Sequence, residues 1–210
     1  MCADQFAKAA STWREKYKLI FHEREKRSKL EPFIQEILAL SKNRALLSLD
    51  PVPYNKIDSI FLSSHIGLIA YNKAYGEGRE NAHKASGKLG QFLKCGIPVI
   101  AFGEGGALET VIGTQSNDNP TGVFFYKQSE DELIKKIIEF SKLEFNKADC
   151  VKNAKKFSRE NFTYKMLDQI NNLILELTLK YKGQTDLGFL RIHIHLIVFQ
   201  QEVKKHMLKK

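Results

Sequence analysis

The residues of this chain best suited to chemistry are Ser86, Gly87 and Lys88, which stand just ahead of an apolar helical pattern. Ser86 is of the type that caps a helix, and a capped helix leaves the amides of its first turn pointing outward. Amides at the positive end of a helix, with a lysine beside them, form an anion site whose usual guest is phosphate. The sequence therefore predicts a phosphate-binding helix start at these three residues.

A helix, a stop and a strand follow in close order and would position that site. Apolar residues at i, i+3 and i+4 predict a helix with one face in a core: Leu89, Phe92 and Leu93. Gly96 predicts the helix end, and the apolar run 97–102 predicts a strand buried on both faces. The glycine-rich turn 103–106 then leads into another helix, and it lets the backbone approach a ligand closely.

The same alternation of short strands and helices runs through most of the chain. Strand patterns are found at 17–21, 45–49, 66–71, 97–102 and 122–126, and helical patterns at 3–16, 23–41, 57–63, 129–138, 148–158 and 162–181. Such alternation predicts an α/β, Rossmann-like doubly wound parallel sheet with its ligand beyond the carboxyl ends of the strands. We expect residues 1–181 to form this single domain.

Residues 182–210 break the pattern and are predicted to be an appendage without an assigned role. The segment 187–199 fits either a strand with alternating Arg191, His193 and His195 or an amphipathic helix. Two histidines at i and i+2 share a strand face, but no third ligand is evident. A solvated face is the favoured interpretation, and no metal site is predicted.

Charge, hydropathy and cysteine content limit the classes of protein to which this chain can belong. The 210-residue chain has a net charge of +9 and no apolar run long enough to span a membrane. Its three cysteines cannot all pair and lack metal spacing, which favours a cytoplasmic protein. The lysines are scattered rather than interleaved with aromatic residues, so no nucleic-acid interface is predicted. Contact with an anionic membrane surface or a phosphate-bearing small molecule stays open.

A series of motifs in the right order resembles the C-terminal, donor-binding half of a group 1 glycosyltransferase of the GT-B type, over roughly residues 10–180. The first blocks are Trp13–His22, Leu47–Tyr54 and Ile66–Asn72. Ser86–Leu89 followed by Cys95–Ala101 is similar to the family's nucleotide-sugar motif. Gly105–Val111, Thr121–Phe125 and Asn153–Ser158 resemble the downstream blocks.

This resemblance implies roles for particular residues. Ser86, Gly87, Lys88 and Leu89 would form the donor-phosphate segment, with Gly87 and Lys88 holding the leaving diphosphate. By the family's spacing, His83 would approach the donor sugar as a tentative catalytic residue, and Gln91 would accept a hydrogen bond from the ribose. Family members commonly have glutamates at both positions, whereas this chain has none. Glu109 stands where the family has an acidic residue at a helix start.

The resemblance further implies transfer of a hexosyl group from a nucleotide-diphosphate sugar, which is the donor substrate, with no other cofactor required. A GT-B enzyme also needs an acceptor-binding domain, so a separate acceptor domain or subunit is an expected partner. The alternative is a non-catalytic Rossmann-like interaction domain derived from a glycosyltransferase. A nicotinamide enzyme is disfavoured because the glycines at 103, 105 and 106 have the wrong spacing for a dinucleotide fingerprint.

Overall fold

Helices and strands alternate along the chain in the computed structural model, which describes residues 3–14, 17–70, 87–180, 197–199 and 201–202. The helices are α1 (Ala3–Ala10), α2 (Pro32–Leu40), α3 (Ile57–Leu62), α4 (Gly87–Lys94), α5 (Gly106–Thr110), α6 (Glu130–Phe140), α7 (Lys147–Lys155) and α8 (Arg159–Lys180). The strands are β1 (Leu19–His22), β2 (Ala45–Ser48), β3 (Gly67–Ile69), β4 (Val99–Phe102) and β5 (Gly122–Phe125). The α/β class and all five strand positions are therefore confirmed.

The strands pair in parallel, as expected, but in two groups. β1 pairs with β2, from Leu19 opposite Ala45 to His22 opposite Ser48. The second sheet has the order β3-β4-β5, and both of its pairings are parallel. Within the described residues these are two small sheets, and the single doubly wound sheet expected from the sequence is not seen there. In the structure β1 and β3 share no hydrogen-bonded ladder, and the strands therefore form two sheets instead of one.

Local signals explain where the helices begin and end. Ser129 caps α6, its hydroxyl accepting a hydrogen bond from the backbone N–H of Glu132 at 3.4 Å. Pro32 occupies the start of α2, where a missing N–H costs nothing, so the charged part of the 23–41 pattern precedes the helix. Gly96 follows α4 with a φ of 73°, a conformation that favours glycine. The first helix was predicted at 3–16 but is shorter in the structure, where α1 ends at Ala10.

Two apolar clusters hold the larger unit together. The first joins α1, β1 and α6 through buried side chains that include Phe6, Phe21 and Leu133. The second packs Leu89 of α4 against Ile69 of β3 and Val99 of β4. The second cluster fixes α4 against the β3-β4-β5 sheet, and with it the helix start predicted to bind phosphate.

The chain divides into two compact units, Met1–Ala154 and Lys155–Lys210. The second contains the 22-residue helix α8, whose apolar residues Phe162, Leu175 and Leu179 are exposed. The predicted domain boundary at 181–182 and most of the 187–199 segment lie outside the described residues, although 197–199 are helical. Among the helices that the structure describes, none has the length and apolarity needed to cross a membrane.

Candidate functional site

The first turn of α4 combines an exposed start with a firmly packed inner face. Gly87 and Lys88 are exposed, whereas Leu89 and Leu93 are 1% and 0% exposed and Phe92 packs beside them. This burial confirms the amphipathic helix predicted from i, i+3, i+4 spacing. Because the apolar face is anchored in the second cluster, the outer face of the first turn is held in a fixed orientation.

Lys88 and Gln91 lie on the same outer face of α4, since residues three apart in a helix are neighbours. Gln91 is half-buried and Lys88 exposed. The Lys88 ammonium can pair with an anionic oxygen, and the Gln91 amide can accept a hydrogen bond from a hydroxyl group. The two side chains together suit a ligand that carries both a phosphate and a sugar hydroxyl.

The glycine-rich turn 103–106 lies beyond the carboxyl end of β4. Gly105 has a φ of 55°, which allows the sharp entry into α5. α5 contacts α4, and its Ala107 shares the apolar cluster of Leu89. Glu109 is exposed on this five-residue helix. The structure thus brings the helices bearing Lys88, Gln91 and Glu109 together, whereas His83 and Ser86 lie outside the described residues.

The opposite end of α4 is tied to α3 by an ion pair. The Nζ atom of Lys94 lies 2.8 Å from a carboxylate oxygen of Asp58. The hydrogen bond to Asp58, reinforced by its charge, raises the pKa of Lys94. The two side chains are 66% and 43% exposed, so the pair contributes little to stability.

Buried polar residues that hold α5 in place were not singled out as functional by the sequence analysis. Asn153 of α7 is 3% exposed, and its amide donates hydrogen bonds to the carbonyl of Thr110 at 2.7 Å and to the hydroxyl of Thr121 at 3.2 Å. The Thr121 hydroxyl also accepts one from the backbone N–H of Ile112 at 2.9 Å. Helical spacing of Asn153 from the buried Cys150 is the sequence signal for this inward-facing amide.

A second polar pair lies at the carboxyl end of the β1-β2 sheet. His22 and Ser48 are opposite each other in register, and Nδ1 of the histidine lies 3.0 Å from the serine hydroxyl oxygen. Polar residues that end two adjacent parallel strands meet at the sheet edge where α/β proteins bind ligands. That strand-end position is the sequence signal for the pair.

A cavity of about 440 Å³ is bordered by strands of both sheets, β1 and β3, and its lining includes His22 of the polar pair and Lys88 of α4. Its wall includes residues of β1 and β3 together with Trp13, His22 and Lys88. The volume lies within the range of small-ligand pockets. Lys88 therefore borders both the outer face of α4 and this inter-sheet cavity.

The described residues contain no group of three or more His, Cys, Asp and Glu side chains arranged to hold a metal ion. No protein-family model matches the chain, and comparison with curated proteins finds no significant match.

Proposed function

We propose that this chain is the donor-binding part of a glycosyltransferase of the GT-B kind, which binds a nucleotide-diphosphate sugar for transfer to a saccharide or another acceptor. The observation that carries the proposal is the exposed start of α4, where Gly87 and Lys88 form the first turn of a helix packed against parallel strands. In this proposal the two sheets belong to one Rossmann-like fold.

The chemistry assigned to each residue follows from its position. Amides of the first turn and the Lys88 ammonium bind the diphosphate and stabilise the negative charge that grows as the glycosyl bond breaks. These contacts strengthen as charge develops, which is the differential binding that catalysis requires. Gln91 orients the ribose without charge assistance, and Glu109 lies at the neighbouring helix.

Completion of the site requires an acceptor-binding partner. Gly87 and Lys88 are exposed, and solvent weakens electrostatic contacts with a phosphate. A second domain or subunit covering this face would exclude water and bring the acceptor hydroxyl to the sugar. We propose that such a partner accompanies this chain during turnover.

Thermal-shift titration with UDP, GDP and their common sugar conjugates tests the proposal. A ligand at 100 times its Kd stabilises the folded protein by about 2.7 kcal/mol, or roughly 5–10 °C for a chain of this size. The variant Lys88→Ala with Gln91→Ala should bind at least about ten-fold more weakly, because a charge-assisted hydrogen bond is lost.

Lys94→Ala is the matched control, since it removes one lysine from the far end of the same helix. It should retain the nucleotide affinity of the parent chain. Equal affinity in the double variant would place nucleotide binding elsewhere, and no shift with any nucleotide would reject the donor function.

The non-catalytic alternative is favoured by one observation, the neutral Gln91 where family members have a glutamate. Such an interaction domain would show no nucleotide-dependent shift while retaining its fold. The same titration therefore distinguishes the two functions.

A further inference from the structure

We propose that the ring of Tyr126 is the platform on which the base of the donor nucleotide stacks. This inference deepens the proposed donor function and rests on it: the diphosphate binds at the first turn of α4, and the base lies on the tyrosine ring. Tyr126 therefore determines how much more tightly the site binds a nucleotide than it binds a diphosphate without a base.

Tyr126 lies at the same edge of the β3-β4-β5 sheet as the start of α4. It directly follows β5, and the glycine-rich turn 103–106 directly follows the neighbouring parallel strand β4. Only residues 95–98 separate the end of α4 from the start of β4, so α4 runs back along the sheet with its first turn toward the carboxyl ends of the strands. That edge is where α/β proteins bind their ligands.

Tyr126 also lies on the face of the sheet that α4 covers. Successive residues of a strand alternate between the two faces, which places Tyr126 on the face of Phe124. Phe124 packs against the apolar cluster that contains Leu89 of α4. The ring centroids of Phe124 and Tyr126 are 6.4 Å apart. The tyrosine ring and the first turn of α4 therefore share one face as well as one edge.

Gly103 supports one side of the tyrosine ring. The N–H of Gly103 donates a hydrogen bond to the carbonyl of Phe125 at 2.9 Å, which holds the ends of β4 and β5 side by side. A Cβ on residue 103 would overlap the ring of Tyr126, with Cδ1 only 2.9 Å away, so the absent side chain is what leaves room for the ring. Tyr126 packs on the backbone in this way while it remains 62% exposed.

An exposed aromatic ring with a supported side suits a planar ligand group. Nucleobases stack on aromatic side chains through their π-faces, and one such contact strengthens binding by about five-fold or more. A ring that the backbone already supports loses little conformational freedom when a base covers it. Because every base has a π-face, the platform accepts uracil and guanine alike.

Dissociation constants for nucleotides and for inorganic pyrophosphate test the platform. Isothermal titration calorimetry measures UDP and GDP binding, and competition with the bound nucleotide measures pyrophosphate binding. Tyr126→Leu should weaken nucleotide binding at least about five-fold, because the stacked ring is lost. The affinity for pyrophosphate, which has no base, should change by less than about two-fold. Equal weakening of both ligands would contradict base stacking.

Two control variants separate the ring from other effects of substitution. Tyr126→Phe keeps the ring and should retain nucleotide affinity within about two-fold, because stacking does not need the hydroxyl group. Tyr164→Leu removes a tyrosine of α8 that is 67% exposed and should also leave the affinity within about two-fold. Circular dichroism checks that each variant folds. A loss in Tyr126→Phe as large as that in Tyr126→Leu would refute the role of the ring.

Gly103→Ala tests the support beneath the ring. The new methyl group displaces the tyrosine ring and should weaken nucleotide binding at least about three-fold. In a chain that already carries Tyr126→Leu, the same glycine substitution should change the affinity by less than about two-fold. Equal effects in the two backgrounds would show that Gly103 does not act through Tyr126.

Proton NMR observes the stacked base directly. The ring current of Tyr126 should shift the H5 and H6 signals of bound uracil, or the H8 signal of bound guanine, upfield, and Tyr126→Leu should abolish this shift. Nucleotide binding without the shift, or with equal affinity in Tyr126→Leu, would overturn the platform and leave the donor function standing. Binding of neither UDP nor GDP to the parent chain would reject both.

Discussion

Replacement of Asn153 by alanine should loosen the turn region around α5 and destabilise the whole larger unit. Asn153 is buried and joins α7 to the end of α5 and to the residue that precedes β5. Its amide therefore connects three elements that are far apart in the sequence. We expect the folded unit to depend on it more than on any exposed polar side chain of α7.

The magnitude follows from the contacts. Two hydrogen bonds are lost at about 0.5–1.5 kcal/mol each, and the partly buried carbonyl of Thr110 loses a partner. Desolvation of an unsatisfied buried acceptor adds about 1–3 kcal/mol. The free energy of unfolding should fall by roughly 2–6 kcal/mol in Asn153→Ala. Urea denaturation followed by circular dichroism measures this change from the midpoint and slope.

Asn119→Ala is the matched control. The Asn119 side chain donates a hydrogen bond to Asp149 of α7 at 2.9 Å, but this contact is exposed. Its loss should cost about 1 kcal/mol or less. A double-mutant cycle of Asn153→Ala with Thr121→Val should give a coupling energy of at least about 0.5 kcal/mol. A cost for Asn153→Ala no larger than the control, or zero coupling, would refute the anchoring role.

Two further predictions concern a glycine and a buried thiol. Gly96→Ala should lower the free energy of unfolding by at least about 1 kcal/mol, because φ is 73° and the new methyl would fall on the side chain of Lys147. Gly90 lies inside α4 with open space around it, so Gly90→Ala should instead raise the free energy of unfolding by about 0.5–1 kcal/mol. The urea midpoints of the two variants, compared with that of the parent chain, test both expectations. Burial raises the pKa of Cys150 from 9.0 to about 11, so the folded state favours the neutral thiol. Its contribution to stability is complete below pH 9 and is lost as the pH rises from 9 to about 11. Between pH 9 and about 11, the urea midpoint of Cys150→Ala should therefore fall less than that of the parent chain. An equal fall in both proteins would contradict the predicted role of the thiol.

Much of the local structure could be predicted from the sequence alone. The apolar runs located all five strands, the helical pattern at 129–138 located α6, and Gly96 located the end of α4. These features depend on side-chain periodicity and backbone preferences over a few residues, which a sequence carries directly. The buried face of α4 was predictable for the same reason, and so was the exposed position of Lys88.

The pairing of elements was decided by the tertiary structure. The sequence predicted one continuous sheet, whereas the described strands form two, with a cavity bordered by β1 and β3. The contact between His22 and Ser48 joins residues 26 apart, and that between Asn153 and Thr110 joins residues 43 apart. Local patterns specify which face of a strand or helix is apolar, but not which element covers it. That choice depends on packing and hydrogen bonding between distant segments, so the contacts of Asn153 that hold α5 emerge only in three dimensions.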